Sequence, residues 1–339
     1  MREEFPRLTV ADAASLARRV LHANRVSDAN AAAVARALVD AELAGQEGHG
    51  LRRLPSYSAQ ARAGKVDGFA TPRAERLRPA VLAVDAAHGF AYPALELACA
   101  ELPAMARAQG VALAGIRRSH HAGVAGLVVE RLAHAGLVAL LFANAPASIA
   151  PWGAARPLYG TDPIAFAAPL PDGHGAGGPV VVDVSLSRAP RGRLMAAVQA
   201  GTPIPEGWAL GPDGRPTTDP QTGMAGTMVP MGEAKGTALA LMVELLAAGL
   251  TGARFADEAS SLFDADGPPP GLGQLILAID ATALSADAVL RFARLAQTVM
   301  DIAGARLPGH RRHALRRELM AEGIAVAPGL LAELEALTG

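Results

Sequence analysis

The chain has 339 residues, of which 51% are hydrophobic and 19% charged. That is enough apolar content for a large core and argues against wholesale disorder. Its 31 basic and 32 acidic residues leave a net charge of −1, which gives no electrostatic footprint for nucleic acid or for an anionic membrane. A single cysteine, Cys99, excludes an internal disulfide and fits a reducing cytoplasm.

The N-terminus, MREEFPRLTV, has no apolar signal core. Thr9 stands before an amphipathic helix, ADAASLARRVLHAN. Ser27 precedes a second, DANAAAVARALVDAELAG, stopped by Gly45. Neither this part nor the block after it carries a strand signal. That block, QEGHGLRRLPSY at 46–57, places His49, Arg53 and Tyr57 four residues apart, so a helix would put all three on one face. Arg grips a carboxylate through two parallel hydrogen bonds, His trades a proton near neutrality, and Tyr donates a hydrogen bond or closes a pocket. The same residues also suit a solvated face, with Pro55 limiting the helix to begin near there.

Strands and helices then alternate. Strands are expected at 80–84, 111–116, 138–143, 163–168, 180–184 and 274–279, and helices at 93–109, 124–135, 191–200 and 235–250. This predicts an α/β layered core. The last helix carries Glu244 and is too short to span a bilayer. Residues 201–234, rich in Gly, Pro, Thr and Asp, read as a long irregular run of the kind that is often functional. Three closing helices near 286–301, 311–321 and 328–338 return toward the N-terminal ones. The chain thus divides into a helical part (1–75), an α/β core (76–284) and C-terminal helices (285–339).

No GxGxxG follows a strand, GLGQLI at 271–276 lacks the third glycine, and GxxxxGK[ST] and GxSxG are absent. Neither a Rossmann dinucleotide site, a P-loop nor an α/β-hydrolase serine is signalled. RSHHAGVAG at 118–126 forms a strand-to-helix turn, whose backbone N–H groups bind anions. His120 and His121 there suit a phosphate, a substrate or simple helix capping. Adjacent histidines diverge and no CxxC or HExxH accompanies them, so no metal is expected. Thr161 in GTDPIAF, Asp183 at a strand end and Lys235 at a helix start each admit a ligand role or ordinary turn and surface chemistry. RLPGHRRHALRR at 306–317 concentrates base, for a phosphate or for solvent.

In their order these segments resemble the malate/L-lactate dehydrogenase family of NAD(P)-dependent oxidoreductases, which also holds sulfolactate, ureidoglycolate and cyclic-imine enzymes. The resemblance is carried by GHGLRRLPSY, SHHAGVAG, APWGAARPLYGTDPIAFAAP, IPEGWAL, GRPTTDP, KGTALALMVELLAAGLTGA and LPGHRR, and runs from about residue 10 to the C-terminus. It implies a family-specific, non-Rossmann α/β fold for NAD(P), a discontinuous helical domain from the N- and C-terminal segments, and a homodimer. It implies catalytic roles for His49 and His121. Substrate contacts would come from Arg53, Tyr57, Thr161, Arg191 and Gly192. Cofactor contacts would come from His120, His121, Ala122, Gly123, Val124, Asp183, Val184, Ser185, Lys235, Gly309, His310, Arg311 and Arg312.

Three departures stand out. Gly48 replaces the Ser that most members carry before the His, Arg193 lies near an Asp of the imine reductases, and Asp162 replaces Asn. In contrast, SHH at 119–121 and GHRR at 309–312 are closer to the imine reductases. The expected activity is hydride transfer between NAD(P)H and C2 of a small 2-oxo acid, with no metal. Reduction of a cyclic 2-imino acid is the alternative, and a non-catalytic small-molecule binder the remote one. Arg311 and Arg312 favour NADP(H) over NAD(H), because a guanidinium pair suits a 2′-phosphate.

Overall fold

In the computed structural model, which describes residues 5–171 and 178–339, local capping fixes the first elements. The first four residues of the N-terminal stretch discussed above lie outside the described residues. Thr9 and Ser27 accept the N–H groups of Asp12 and Asn30 at 3.0 and 3.3 Å. They start α1 (Val10–Ala23) and α2 (Asp28–Leu43), behind a short strand β1 (Arg7–Leu8). Helix α3 (Leu54–Ala63) follows, with Pro55 in its first turn, where a missing N–H costs nothing.

Then come β2 (Arg73–Arg78), β3 (Val81–Asp85), α4 (Ala91–Gln109), β4 (Val111–Ser119), α5 (Ala125–His134), β5 (Leu137–Ala143), β6 (Ile164–Ala168), β7 (Val180–Val184) and α6 (Arg191–Ala200). The chain continues through β8 (Ala209–Leu210), β9 (Pro216–Thr217), α7 (Pro220–Ala225), β10 (Thr227–Met228), α8 (Ala234–Val243) and β11 (Leu272–Asp280). It closes with α9 (Ala288–Met300), α10 (His310–Glu322), β12 (Ile324–Ala325) and α11 (Pro328–Ala336).

A mixed seven-stranded sheet runs β2-β3-β4-β11-β5-β6-β7. Only β3 and β4 pair in parallel, and β11 enters antiparallel between β4 and β5. Apolar side chains of its central strands pack against Leu95, Leu102 and Met105 of α4 and Val129 and Leu132 of α5. Full burial of each large side chain contributes about 2 kcal/mol. Behind the sheet, Val243 and Ala247 cover Leu275 and Phe142. A second core joins α1, α2 and α3 to Ile324, Val326 and Leu334 near the C-terminus, and β1 pairs with β12.

The structure corrects four expectations. Residues 46–57 are not one helix: two 3₁₀ turns, Glu47–His49 and Leu51–Arg53, precede α3, because Gly48 and Gly50 interrupt the register. A strand does occur near the N-terminus, although two residues are too few to show periodicity. The 201–234 run is ordered by β8, β9 and β10 and by α7, whose N-cap Asp219 accepts the Thr222 N–H at 2.7 Å. The helix expected to reach Leu250 ends at Val243 and widens into a π-turn, Glu244–Gly249, where Glu244 turns inward. β2 escaped the sequence reading because all six residues of this charged edge strand are exposed.

Candidate active site

The loop after α2 is held from below by Glu42, whose Oε1 accepts the Leu51 N–H at 2.7 Å. Burial raises this carboxyl to about 7. A Cβ on Gly50 would lie 2.1 Å from the same oxygen, so a side chain there would displace Glu42 from Leu51. The 3₁₀ turns so fixed carry His49 and Arg53.

β4 continues to Ser119 and delivers the two histidines in opposite directions, as adjacent extended residues must. His120 enters the core. Its Nε2 meets Gln60 Oε1 at 2.8 Å, its ring lies edge-on to Phe90 and Tyr57, and burial pushes it down to about 3. Its carbonyl accepts from Gln274 Nε2 at 3.2 Å, so backbone and side chain are both engaged inside the protein. His121 turns the other way. Its Nε2 lies 3.1 Å from His49 Nδ1 and its Nδ1 lies 2.6 Å from the Tyr57 hydroxyl. The two imidazoles stack with centroids 5.0 Å apart. Tyr57 is fully buried and contacts Tyr92 Oη at 3.1 Å.

His49, Arg53 and Tyr57 therefore do share a site, but His121 joins His49 to Tyr57 where a common helix face had been expected. Burial, reinforced by the charge of Arg53, lowers His49 to about 4 and His121 well below its ordinary range. Both are neutral imidazoles near pH 7, each one part donor and one part acceptor.

Arg53 sits at the open edge. Its Nε donates to the Gly48 carbonyl at 2.8 Å and its guanidinium lies over Phe263, 5.0 Å from the ring centroid. Among the described residues its terminal nitrogens have no acidic partner, which leaves the fork available for a carboxylate.

The helix N-terminus expected to bind an anion already holds one. The Gly126 N–H of α5 donates to Asp183 Oδ2 at 3.0 Å, and Arg312 approaches that oxygen at 3.3 Å and Glu130 at 3.7 Å. Arg312 is thus internally paired, whereas Arg311 is exposed and His310 partly so. The Ala122–Val124 turn and α10 border one cavity of about 440 Å³, lined by Tyr92, Ala122, Val124, Glu130, His313 and Arg316 among others. That volume lies within the range of small-molecule sites. Gly309 begins α10 at φ +89°, packed on Val181.

A second group lies apart. The Thr161 carbonyl accepts the Leu186 N–H at 2.8 Å, and Ser185 Oγ meets Ser187 Oγ at 2.8 Å. Val184 pairs with Ile164 at the edge of the sheet. Arg191 is half-buried with no partner for its Nε, Gly192 is exposed beside it, and Lys235 is exposed in the first turn of α8. Arg193 stacks on Trp208 at 5.9 Å. Among the described residues no hydrogen bond or ion pair links this group to His49 or Arg53.

The sequence reading missed Glu42, Gln60 and Tyr92. Glu42 had a visible signal, an acid on the apolar face of α2. Tyr92 had another, as one of only three tyrosines, at the head of an apolar helix.

The family model for malate/L-lactate dehydrogenase matches residues 8–335. The chain is 49% identical to a (2R)-3-sulfolactate dehydrogenase (NADP(+)) of Chromohalobacter salexigens, covering 97% of each. It is 38% identical to a Δ1-pyrroline-2-carboxylate reductase of Ancylobacter novellus, covering 99% of this chain and 98% of that one. Its structure resembles that of Δ1-piperideine-2-carboxylate reductase from Pseudomonas syringae, with a TM-score of 0.91, 37% identity, and coverage of 98% and 99%.

Proposed function

The chain belongs to the malate/L-lactate dehydrogenase family, and on that premise we propose that it is an NAD(P)H-dependent oxidoreductase acting at C2 of a small 2-oxo or 2-hydroxy acid. The observation that carries this reading is the pairing of a neutral His49 with an Arg53 fork that has no acidic partner among the described residues. The cofactor supplies the hydride. Arg53 takes the carboxylate, and that anion offsets the charge which helps hold His49 and His121 down. Proton affinity therefore rises at His49 as substrate arrives. Because His121 occupies Nδ1 of His49, Nε2 is the nitrogen left to protonate the oxygen that forms at C2. His121 also gives His49 a hydrogen-bonding partner where Gly48 and Arg193 replace the Ser and Asp of relatives.

Cyclic 2-imino acids form the second reading, favoured by the reductases at 38% identity. There the nitrogen arrives protonated and His49 matters less. The deciding experiment follows cofactor oxidation with 3-sulfo-2-oxo acids, unsubstituted 2-oxo acids and cyclic 2-imino acids, with NADH and with NADPH. Turnover of imines alone would replace the first reading by the second. No turnover of either class would leave a binding protein.

NADP(H) is the favoured cofactor, as in the name of the sulfolactate relative. The Ala122–Val124 turn, Asp183 and the start of α10 would hold it, and the shared cavity suits part of a dinucleotide. The sequence offered two arginines for the 2′-phosphate. Arg312 is committed to Asp183 and Glu130, so Arg311 alone is assigned here. Arg311→Ala should lower the NADPH over NADH preference by roughly tenfold, as for one charge-assisted hydrogen bond. Equal losses with both cofactors would remove Arg311 from phosphate recognition.

The family-specific, non-Rossmann fold is supported by the largely antiparallel sheet. We read residues 1–75 and 285–339 as one discontinuous helical domain around the 76–284 core, on the strength of the shared core of α1, α2, α3 and α11. A homodimer would cover the exposed Leu241 of α8, Leu245 and Leu250 just beyond it, and Leu290 and Leu295 of α9. Sedimentation of the wild-type chain checks it. The buried free thiol of Cys99 suits a reducing cytoplasm.

A further inference from the structure

Four side chains stand in line behind the substrate-facing edge of His49. Tyr92 Oη lies 3.1 Å from Tyr57 Oη, Tyr57 Oη lies 2.6 Å from His121 Nδ1, and His121 Nε2 lies 3.1 Å from His49 Nδ1. We propose that Tyr92 is a positioning residue for His49, its hydroxyl acting through Tyr57 and His121 to set which nitrogen of His49 carries the proton. This rests on the reading of His49 as the proton donor.

Proton counting gives the reason. Each neutral group holds one mobile proton, so four protons serve three links. The fourth must project from one end, either from His49 Nε2 or from Tyr92 Oη. Among the described residues Tyr92 Oη has no partner but Tyr57. Tyr92 is only 6% exposed, so a proton aimed away from Tyr57 would find no acceptor among the described residues, whereas His49 Nε2 ends at the substrate-facing edge. The favoured order therefore runs Tyr92 to Tyr57 to His121 to His49, each donating to the next. His49 then holds its proton on Nε2, as an acid for a 2-oxo acid. Reversing every link leaves Nε2 bare, the state a 2-hydroxy acid requires, and the spare proton then sits on Tyr92 Oη, aimed away from Tyr57.

Two further features fit. Burial raises both phenols, Tyr92 well above its ordinary value, so both remain neutral donors. Gly123 stands where a Cβ would come within 2.8 Å of Tyr92 Oη, so the HHAG turn keeps room for that hydroxyl. No serine or carboxylate touches His49 among the described residues. The tyrosine pair therefore supplies the tautomer control that such a group provides elsewhere.

Nitrogen-15 NMR of histidine-labelled wild-type protein tests the order directly. Both His49 and His121 should show a protonated Nε2 and an unprotonated, hydrogen-bonded Nδ1. A protonated Nδ1 on either ring overturns the proposal. Kinetics test the coupling. Tyr92→Phe should lower kcat roughly 3- to 10-fold, as for one lost hydrogen bond, with the KM for the 2-oxo acid unchanged. In a Tyr57→Phe background it should add nothing, because its effect passes through Tyr57. Multiplying effects, or wild-type kcat in Tyr92→Phe, overturn it. If that variant does not fold, the wild-type NMR result decides. Loss of the His49 role would appear instead as near-wild-type turnover in His49→Ala, whatever the tautomers.

Discussion

Beneath the loop after α2, imidazoles and phenols are buried as neutral groups and end at an open edge. Beneath the π-turn after α8, two carboxyls are buried as a closed pair. Asp162 is wholly buried and Glu244 nearly so. Asp162 Oδ1 accepts the Ala145 N–H at 3.2 Å and Glu244 Oε2 accepts the Ala256 N–H at 3.0 Å. The charge of Glu244 helps raise Asp162, and Asp162 Oδ2 and Glu244 Oε1 have no other partner among the described residues, an arrangement that suits two carboxyls sharing one proton. The acid pair meets only its own chain, whereas the histidine cluster ends in a ring nitrogen with no partner and a guanidinium whose terminal nitrogens have no acidic partner among the described residues. Buried polar groups complete on all sides hold structure, while a chain of them left incomplete at one end marks where a ligand belongs. The two regions are also connected. Ala256, anchored by Glu244, begins the segment that lays Phe263 on Arg53 and gives the Asp264 carbonyl to Gln60 and Lys65.

Removing the open end should have the largest effect. His49→Ala is expected to lower kcat with 2-oxo acids by about 10² to 10⁴, the range for losing one general acid, with cofactor affinity nearly unchanged. Near-wild-type turnover would remove His49 from the chemistry and with it the functional half of the contrast.

Arg53→Lys should do less. Lys offers a point charge in place of the bidentate fork, so KM should rise, or kcat/KM fall, by roughly 10- to 100-fold. The comparison to make is between 2-oxo acids and their uncharged 2-oxo amides. If Arg53→Lys discriminates between them as strongly as wild type, the clamp lies elsewhere.

How much of this could be read from the sequence follows from the range of each signal. α1, α2, α4, α5 and the long strands were visible because their periodicity spans many residues, and the caps Thr9 and Ser27 were visible because capping is local. His49, Arg53, Tyr57 and His121 were found, but their geometry was not, since the link from His121 to both His49 and Tyr57 joins residues more than sixty apart. Tyr92 and Glu42 carry no motif, and their roles exist only through contacts. Asp162 was legible as a departure from the family's Asn. Its meaning was not, because Glu244 lies on an element the sequence drew as an unbroken helix.

That substitution gives the smallest effect and the sharpest contrast. In an unfolded chain Asp162 and Glu244 titrate near 3.8 and 4.5. In the fold, burial raises Asp162 well above that and Glu244 to about 7. Between those limits unfolding releases protons, so the pair's contribution is complete at low pH and is lost as pH rises through about 7. The histidines act in the opposite sense. His49 stays neutral down to about 4 against an ordinary 6.5, so their contribution is present above that ordinary value and is lost as pH falls toward 4. Asp162→Asn replaces one carboxyl by an amide that can donate to an ionised Glu244, which removes the need for a shared proton. Between about pH 5 and about pH 8 the variant's Tm should fall less than that of wild type, by roughly 5 °C. Some decline should persist through Glu42, which is also raised to about 7. The histidines' share of the acid limb should persist, because that cluster is untouched. Parallel Tm profiles on the alkaline side would show that the pair holds no shared proton, and the closed half of the comparison would then need another source of stability.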